Sequence, residues 1–255
     1  MFKKRSIFCV VSLMLVGCGG NYGSSSNGGG GGGGNYTGQA QGVYSGTSSA
    51  GNSFYTIVLP NDKFYGIYGT LTSSGLLIAG LITGQGTSGS TTYTASVTDF
   101  LYTGSVTSGS LSGSYVPGSS VNGTLTENAS TATFTGTSLA ASTFNYSTPA
   151  SLSAISGTWT GKLLDGMTTT VTISSSGTVT GSSSGCSFSG TVAADSSNKN
   201  FFDVSLTFAG SPCAFPNQTA TGVGVEYLLS DGVTHQLLAA VTSGTTFGTV
   251  FAAER

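Results

Sequence analysis

In a chain of 255 residues, charged side chains make up only 6% and glycine fills 41 positions. An ordinary globular protein carries roughly 25% charge, so here the polar surface has to be built from Ser, Thr, Gly and Asn. Of the seven basic residues three are Lys3, Lys4 and Arg5, which leaves four against nine acidic ones over the rest of the chain. No basic patch remains to neutralise a phosphate backbone, so nucleic acid is excluded as a partner. Hydrophobic residues make up 38% and recur in strand-length runs, which excludes wholesale disorder.

Lys3-Lys4-Arg5 followed by the apolar run Ser6–Val16 is the pattern of a secretory signal. The run is too short for a spanning helix, which needs about 20 residues. It ends in Leu15-Val16-Gly17-Cys18, which resembles the bacterial lipobox. That resemblance implies that residues 1–17 are a signal peptide and that Cys18 is lipidated, making the membrane a partner through the N-terminal lipid. Several acyl chains make such anchorage stable where one is marginal. Gly19 stands where an aspartate retains many lipoproteins of this kind in the inner membrane. By that sorting rule the resemblance points to the bacterial outer membrane, on its periplasmic or cell-surface side. Residues 18–41 contain seven consecutive glycines, Gly28–Gly34, and read as a disordered Gly/Ser tether.

Beyond the tether no stretch keeps a helical period. Short alternating runs are separated by Gly, Asn, Asp and Ser, so the chain reads as all-β. The first domain, 42–139, divides into runs at about 41–47, 53–59, 63–70, 75–85, 89–100, 103–116, 119–126 and 131–139. A linker at 140–155 carries Pro149. The second domain, 156–255, divides into Ser156–Leu164, Thr168–Ser174, Gly177–Ser183, Gly185–Ala193, Asn200–Ala209, Thr219–Leu229, Thr234–Ser243 and Thr245–Ala253. Alternation gives inward rows such as Trp159 with Leu163, Phe202-Val204-Leu206-Phe208 and Val223-Val225-Tyr227-Leu229, bulky enough to fill a core. Asp165-Gly166 and Asp231-Gly232 are hairpin-turn dipeptides. Two small antiparallel, up-and-down β-barrels of about eight strands each follow, with a sandwich as the rival arrangement. "GVYSG" (Gly42–Gly46) parallels "GTWTG" (Gly157–Gly161), as an internal duplication requires.

A lipobox, a Gly-rich tether and two β-barrels that open on Gly-aromatic-Gly and close on "GTVFAAER" resemble the surface lipoproteins of the transferrin-binding protein B and factor-H-binding type. The resemblance implies a non-enzymatic binder of a host or surface protein. The acidic-Leu-Gly-Gly signature near the end of their barrels is missing here, and "GTW" also opens lipocalin-like barrels.

The residues point to little chemistry. Of four cysteines, Cys9 lies in the signal, Cys18 is the lipidation site, and Cys186 and Cys213 fall at one end of a hairpin. In an oxidising compartment these two form a disulfide. His235, the only histidine, reads as a turn residue without the partners a metal site needs. Gly181–Gly185 fits G-x-S-x-G but lies between strands. Gly84–Gly89 fits G-x-G-x-x-G, has no helix after it, and reads as a hairpin loop. Asp99, Asp203 and Glu226 show no spacing that pairs carboxylates for glycosidase work. The sequence therefore points to no catalytic residue, no metal and no cofactor.

The stretch Ser53–Gly69 is apolar on both faces, with Phe54, Tyr55, Phe64, Tyr65 and Tyr68 as a candidate binding surface. The alternative cover for its second face is the other barrel. Two functions follow: a binder of a macromolecule at the cell surface, or a lipocalin-like carrier of a small apolar ligand inside a barrel. Filled barrels favour the first and an open apolar cavity the second.

Overall fold

The computed structural model describes residues 38–72, 75–229 and 231–255; Cys18 and residues 18–37 of the tether lie outside the described residues. The first half forms β1 (Gly42–Ser48), β2 (Ser53–Val58), β3 (Lys63–Thr72), β4 (Gly75–Ser88), β5 (Thr92–Leu101), β6 (Val106–Val116), β7 (Ser120–Glu127) and β8 (Ser130–Ser138). A short helix, α1 (Leu152–Ile155), leads into β9 (Gly157–Leu163), β10 (Thr168–Ile173), β11 (Thr178–Ser183), β12 (Cys186–Ala194), β13 (Phe202–Phe208), β14 (Thr219–Leu228), β15 (His235–Ser243) and β16 (Phe247–Glu254). Within each half every strand pairs antiparallel with its neighbours in the chain. β1 also pairs with β8 and β9 with β16, so both sheets close into up-and-down barrels with no free edge.

Turn chemistry sets the hairpins. Gly166 takes φ +80 and Asp165 Oδ1 accepts the Met167 N–H at 2.9 Å, which closes β9 on β10. Ser184 and Gly185, at φ 49 and 86, form the two-residue turn between β11 and β12. The G-x-S-x-G match is thus a hairpin with strand on both sides.

Residues 38–41, assigned by composition to the tether, belong to the first barrel. Ala40 is buried, and the Gly38 N–H donates to Asp62 Oδ1 at 3.0 Å. The two barrels open alike. In the first, the Tyr44 hydroxyl donates to the Ala40 carbonyl at 3.0 Å; in the second, Trp159 Nε1 donates to the Ile155 carbonyl at 2.7 Å. Each aromatic is fully buried and reaches four residues back, so one device plugs one end of both barrels.

Two expectations need correction. Gly84 and Gly86 lie inside β4, and only Gly89 enters the turn before β5. A Cβ on Gly86 would sit 2.1 Å from the Tyr93 ring, so the inner side of this strand is bare because rings lie across it. Val223 and Val225 face away from their own barrel. They join a cluster in which Tyr55, Ile57, Tyr65, Ile67, Leu81 and Phe100 of the first half meet Leu238, Ala240 and Val250 of the second. The inward row of β14 is instead Ala220-Gly222-Gly224, directly opposite Leu206, Val204 and Phe202 of β13. With this small row inside and the bulky row outside, β14 contributes little volume to the interior, and the second barrel keeps a cavity of about 280 Å³.

Candidate functional site

The Ser53–Gly69 hairpin divides its two apolar faces between two environments. Tyr55 and Tyr65 point outward and pack against the second barrel. Phe54, Phe64 and Tyr68 point inward and line a cavity of about 270 Å³ in the first barrel. A second cavity, of about 280 Å³, lies in the other barrel and is walled by Val171, Phe188, Phe202, Leu206, Phe208 and Phe251.

The first cavity has one closed end. Tyr93 donates through its hydroxyl to the Asp62 carbonyl and Tyr115 to that of Gly89, while the buried Asp62 carboxylate accepts from Ser88 N at 3.2 Å and from the Ser88 hydroxyl. These contacts knit the turns beneath the barrel. Toward the other end Phe54, Leu111, Leu125 and Phe134 also line the cavity yet stay only half-buried. Inward side chains in a filled core would be covered as Tyr44 is, so this end is open.

Near that mouth two inward rows each finish on a carboxylate. On β5 the row is Tyr93-Ala95-Val97-Asp99, and on β7 it is Val121-Gly123-Leu125-Glu127. Asp99 is 4% exposed; its Oδ2 accepts the Tyr68 hydroxyl at 2.6 Å, and its Oδ1 has no hydrogen-bond partner among the described residues. Glu127 accepts the Thr107 hydroxyl at 3.3 Å. Local structure makes the Tyr68–Asp99 contact feasible. Ala79 is an extra residue in β4 that shifts its register against β3 beside Tyr68. Gly80 then lies under the phenol, where a Cβ would come within 2.3 Å of its oxygen.

Burial raises the Asp99 carboxyl from 3.8 to about 6; the Tyr68 hydrogen bond pulls it down and the charge of Glu127 adds to the rise. Glu127 is also raised by burial, with the Thr107 hydrogen bond opposing. Tyr68 is raised too, by burial first and then by its hydrogen bond to Asp99. Glu127 is the residue that sequence reasoning missed, and Asp99 was named without its partner. The signal was a carboxylate ending an otherwise apolar inward row.

Cys186 and Cys213 are joined by a disulfide that ties the start of β12 to the β13–β14 loop at the mouth of the second barrel. His235 Nδ1 meets Glu226 Oε1 beside the β14–β15 hairpin, a paired surface group. Asp203 lies with Asp195, whose charge and hydrogen bond add to the rise that burial causes. Among the described residues no three His, Cys, Asp or Glu side chains converge to hold a metal ion.

No family model matches the chain, and no curated protein matches it. Its structure is similar to that of transferrin-binding protein B isotype 1 from serogroup B Neisseria meningitidis, at 10% identity and a TM-score of 0.28, over 80% of this chain and 65% of that one. It is similar also to a mutant transferrin-binding protein B from Haemophilus parasuis Hp5, at 11% identity and a TM-score of 0.27, over 81% and 67%. The chain thus spans about two thirds of the length of these two solved structures.

Proposed function

We propose that this chain is a non-enzymatic, lipid-anchored binding protein of the outer membrane whose barrels hold small apolar molecules. One observation carries the reading: both barrels keep an apolar cavity, of about 270 and 280 Å³, where a purely structural barrel would be packed solid. Those volumes fall just below the range of drug-sized ligand pockets, roughly 300 to 1,000 Å³, and so suit a smaller molecule. The outward face of the Ser53–Gly69 hairpin, the strongest sequence clue to a macromolecular surface, is taken up by the second barrel.

The anchoring reading rests on Leu15-Val16-Gly17-Cys18 after a basic start. Cys18→Ser is expected to abolish labelling by an alkyne fatty acid and to release the protein from membranes; unchanged partitioning counts against it. For the cavity reading, native mass spectrometry of protein extracted from the envelope in mild detergent is expected to show adducts of a few hundred daltons. Uniformly empty protein that also takes up no added 1-octanol overturns it.

A second reading, capture of a host or surface protein, is favoured by apolar side chains at adjacent hairpin tips. Leu71 and Leu77 at the β3–β4 end are 56% and 68% exposed, and Tyr102 and Val106 flank the β5–β6 turn at 58% and 41%. If this reading holds, Leu71→Ser with Leu77→Ser abolishes cross-linking to a partner on intact cells and leaves 1-octanol uptake unchanged.

A further inference from the structure

On the reading of the barrels as small-molecule sites, we propose that the first barrel is selective for an apolar amine, its body among Phe54, Leu111, Leu125 and Phe134 and its ammonium group on Asp99. Charge supports this choice. Among the described residues the cavity wall contains Asp99 and Glu127 and no Lys, Arg or His, so the enclosed field favours a cation and rejects a carboxylate or phosphate. Satisfaction supports it independently. Asp99 lines the cavity at 4% exposure, and its buried Oδ1 has no donor among the described residues, while Tyr68 serves Oδ2 alone. A buried carboxylate oxygen without a donor is costly, and among the described residues no side chain supplies one to Oδ1.

An ammonium group supplies several N–H donors and an opposite charge together, and Phe54, Tyr68 and Phe134 place aromatic rings, which attract cations, in the same wall. An alcohol of the same length offers one neutral donor. The half-buried inward residues at the mouth leave a route for the apolar body to enter. The second barrel is a built-in contrast. The one charged residue in its wall, Asp165, is exposed and already accepts from the Met167 N–H at 2.9 Å, so that cavity has no buried anion to discriminate an amine from an alcohol.

The test uses the full chain with octylamine, 1-octanol and octanoate as probes, followed by calorimetry and by methyl NMR signals of Leu111, Val121 and Leu125. At pH 7.5 octylamine is expected to bind the first barrel at least tenfold more tightly than 1-octanol, with octanoate weakest. Asp99→Asn reduces octylamine to the affinity of 1-octanol and leaves the second barrel unaffected. The wild-type protein provides an arm that needs no variant to fold. The titratable groups facing Asp99 are Tyr68 from β3 and Glu127 from β7, and Asp99 titrates at about 6. Octylamine is therefore expected to weaken roughly tenfold between pH 7.5 and 5 while 1-octanol binding stays level. Equal affinities of octylamine and 1-octanol for the first barrel overturn the amine selectivity and leave the small-molecule reading standing. Failure of both probes to enter either barrel overturns both. Octylamine binding that ignores both pH and Asp99→Asn removes Asp99 as the anchor.

Discussion

The guanidinium of Arg255 lies over the indole of Trp159, 4.0 Å from the ring centroid, and its two nitrogens donate to the carbonyls of Ser156 at 2.7 Å and Ala154 at 2.8 Å. Trp159 in turn donates to the Ile155 carbonyl. One residue beyond β16 thus fastens β9 and α1, and the planar fork of arginine serves ring and backbone together. In the first barrel Tyr44 occupies the corresponding position and reaches the Ala40 and Gln41 carbonyls through its own hydroxyl.

Arg255→Ala is expected to lower the stability of the second barrel by roughly 1–2 kcal/mol, since its two carbonyl hydrogen bonds are exposed and the cation–π contact is partly solvated. Arg255→Lys should restore less than half of that, because an ammonium cannot bridge both carbonyls and the ring. Trp159 is the only tryptophan of the chain, so its fluorescence during urea unfolding reports on this barrel. No change in midpoint for Arg255→Ala would show that α1 closes the barrel unaided.

Phe100 packs so tightly on Gly248 across the two barrels that a Cβ on that glycine would come within 2.5 Å of its ring. Phe100→Ala should therefore cost about 3–5 kcal/mol. Tyr55→Ser with Tyr65→Ser removes two further rings from the same cluster. Calorimetry is expected to split one transition into two as the barrels uncouple. A single unshifted transition would mean that the contact contributes nothing to folding.

Replacing Cys186 and Cys213 together by serine opens a loop with a sequence separation of 27, which the chain-entropy model values at about 3–4 kcal/mol. The loss should appear as a lower urea midpoint. Tyr68–Asp99 geometry in the other barrel should be untouched, as read by NMR.

Asp99 is raised from 3.8 to about 6 in the folded protein, so between those values the folded state binds a proton that the unfolded chain releases. Stability from this residue is full below about pH 4 and falls as pH rises to about 6. The total is of the order of 2–3 kcal/mol, with a level contribution above that range. Asp99→Asn should flatten that segment of the stability–pH curve and raise stability at pH 7. An identical curve in the variant would show that the carboxylate is solvated.

Strand placement and the eight-plus-eight division were legible because they depend on local patterns. Period-two alternation marks a strand wherever one side is wetter than the other, and Asp165-Gly166 and Asp231-Gly232 bend the chain whatever surrounds them. The pairing of Cys186 with Cys213 followed from two adjacent strands alone. Alternation does not say which of two rows faces inward when neither is polar. On β14 the row Val223-Val225 is the bulkier and looked like the core, yet it is outside because the second barrel needed an apolar face for the first. The glycine row is inside because Phe202 and Val204 of β13 cover it. The meeting of Asp99 with Glu127 is likewise a product of closure. They lie on β5 and β7, opposite Thr107 and Gly109 of the intervening β6, and the registers put them at one end while closure makes that face the inside. A sequence carries parity along each strand, whereas the inside of a barrel exists only once the sheet has closed.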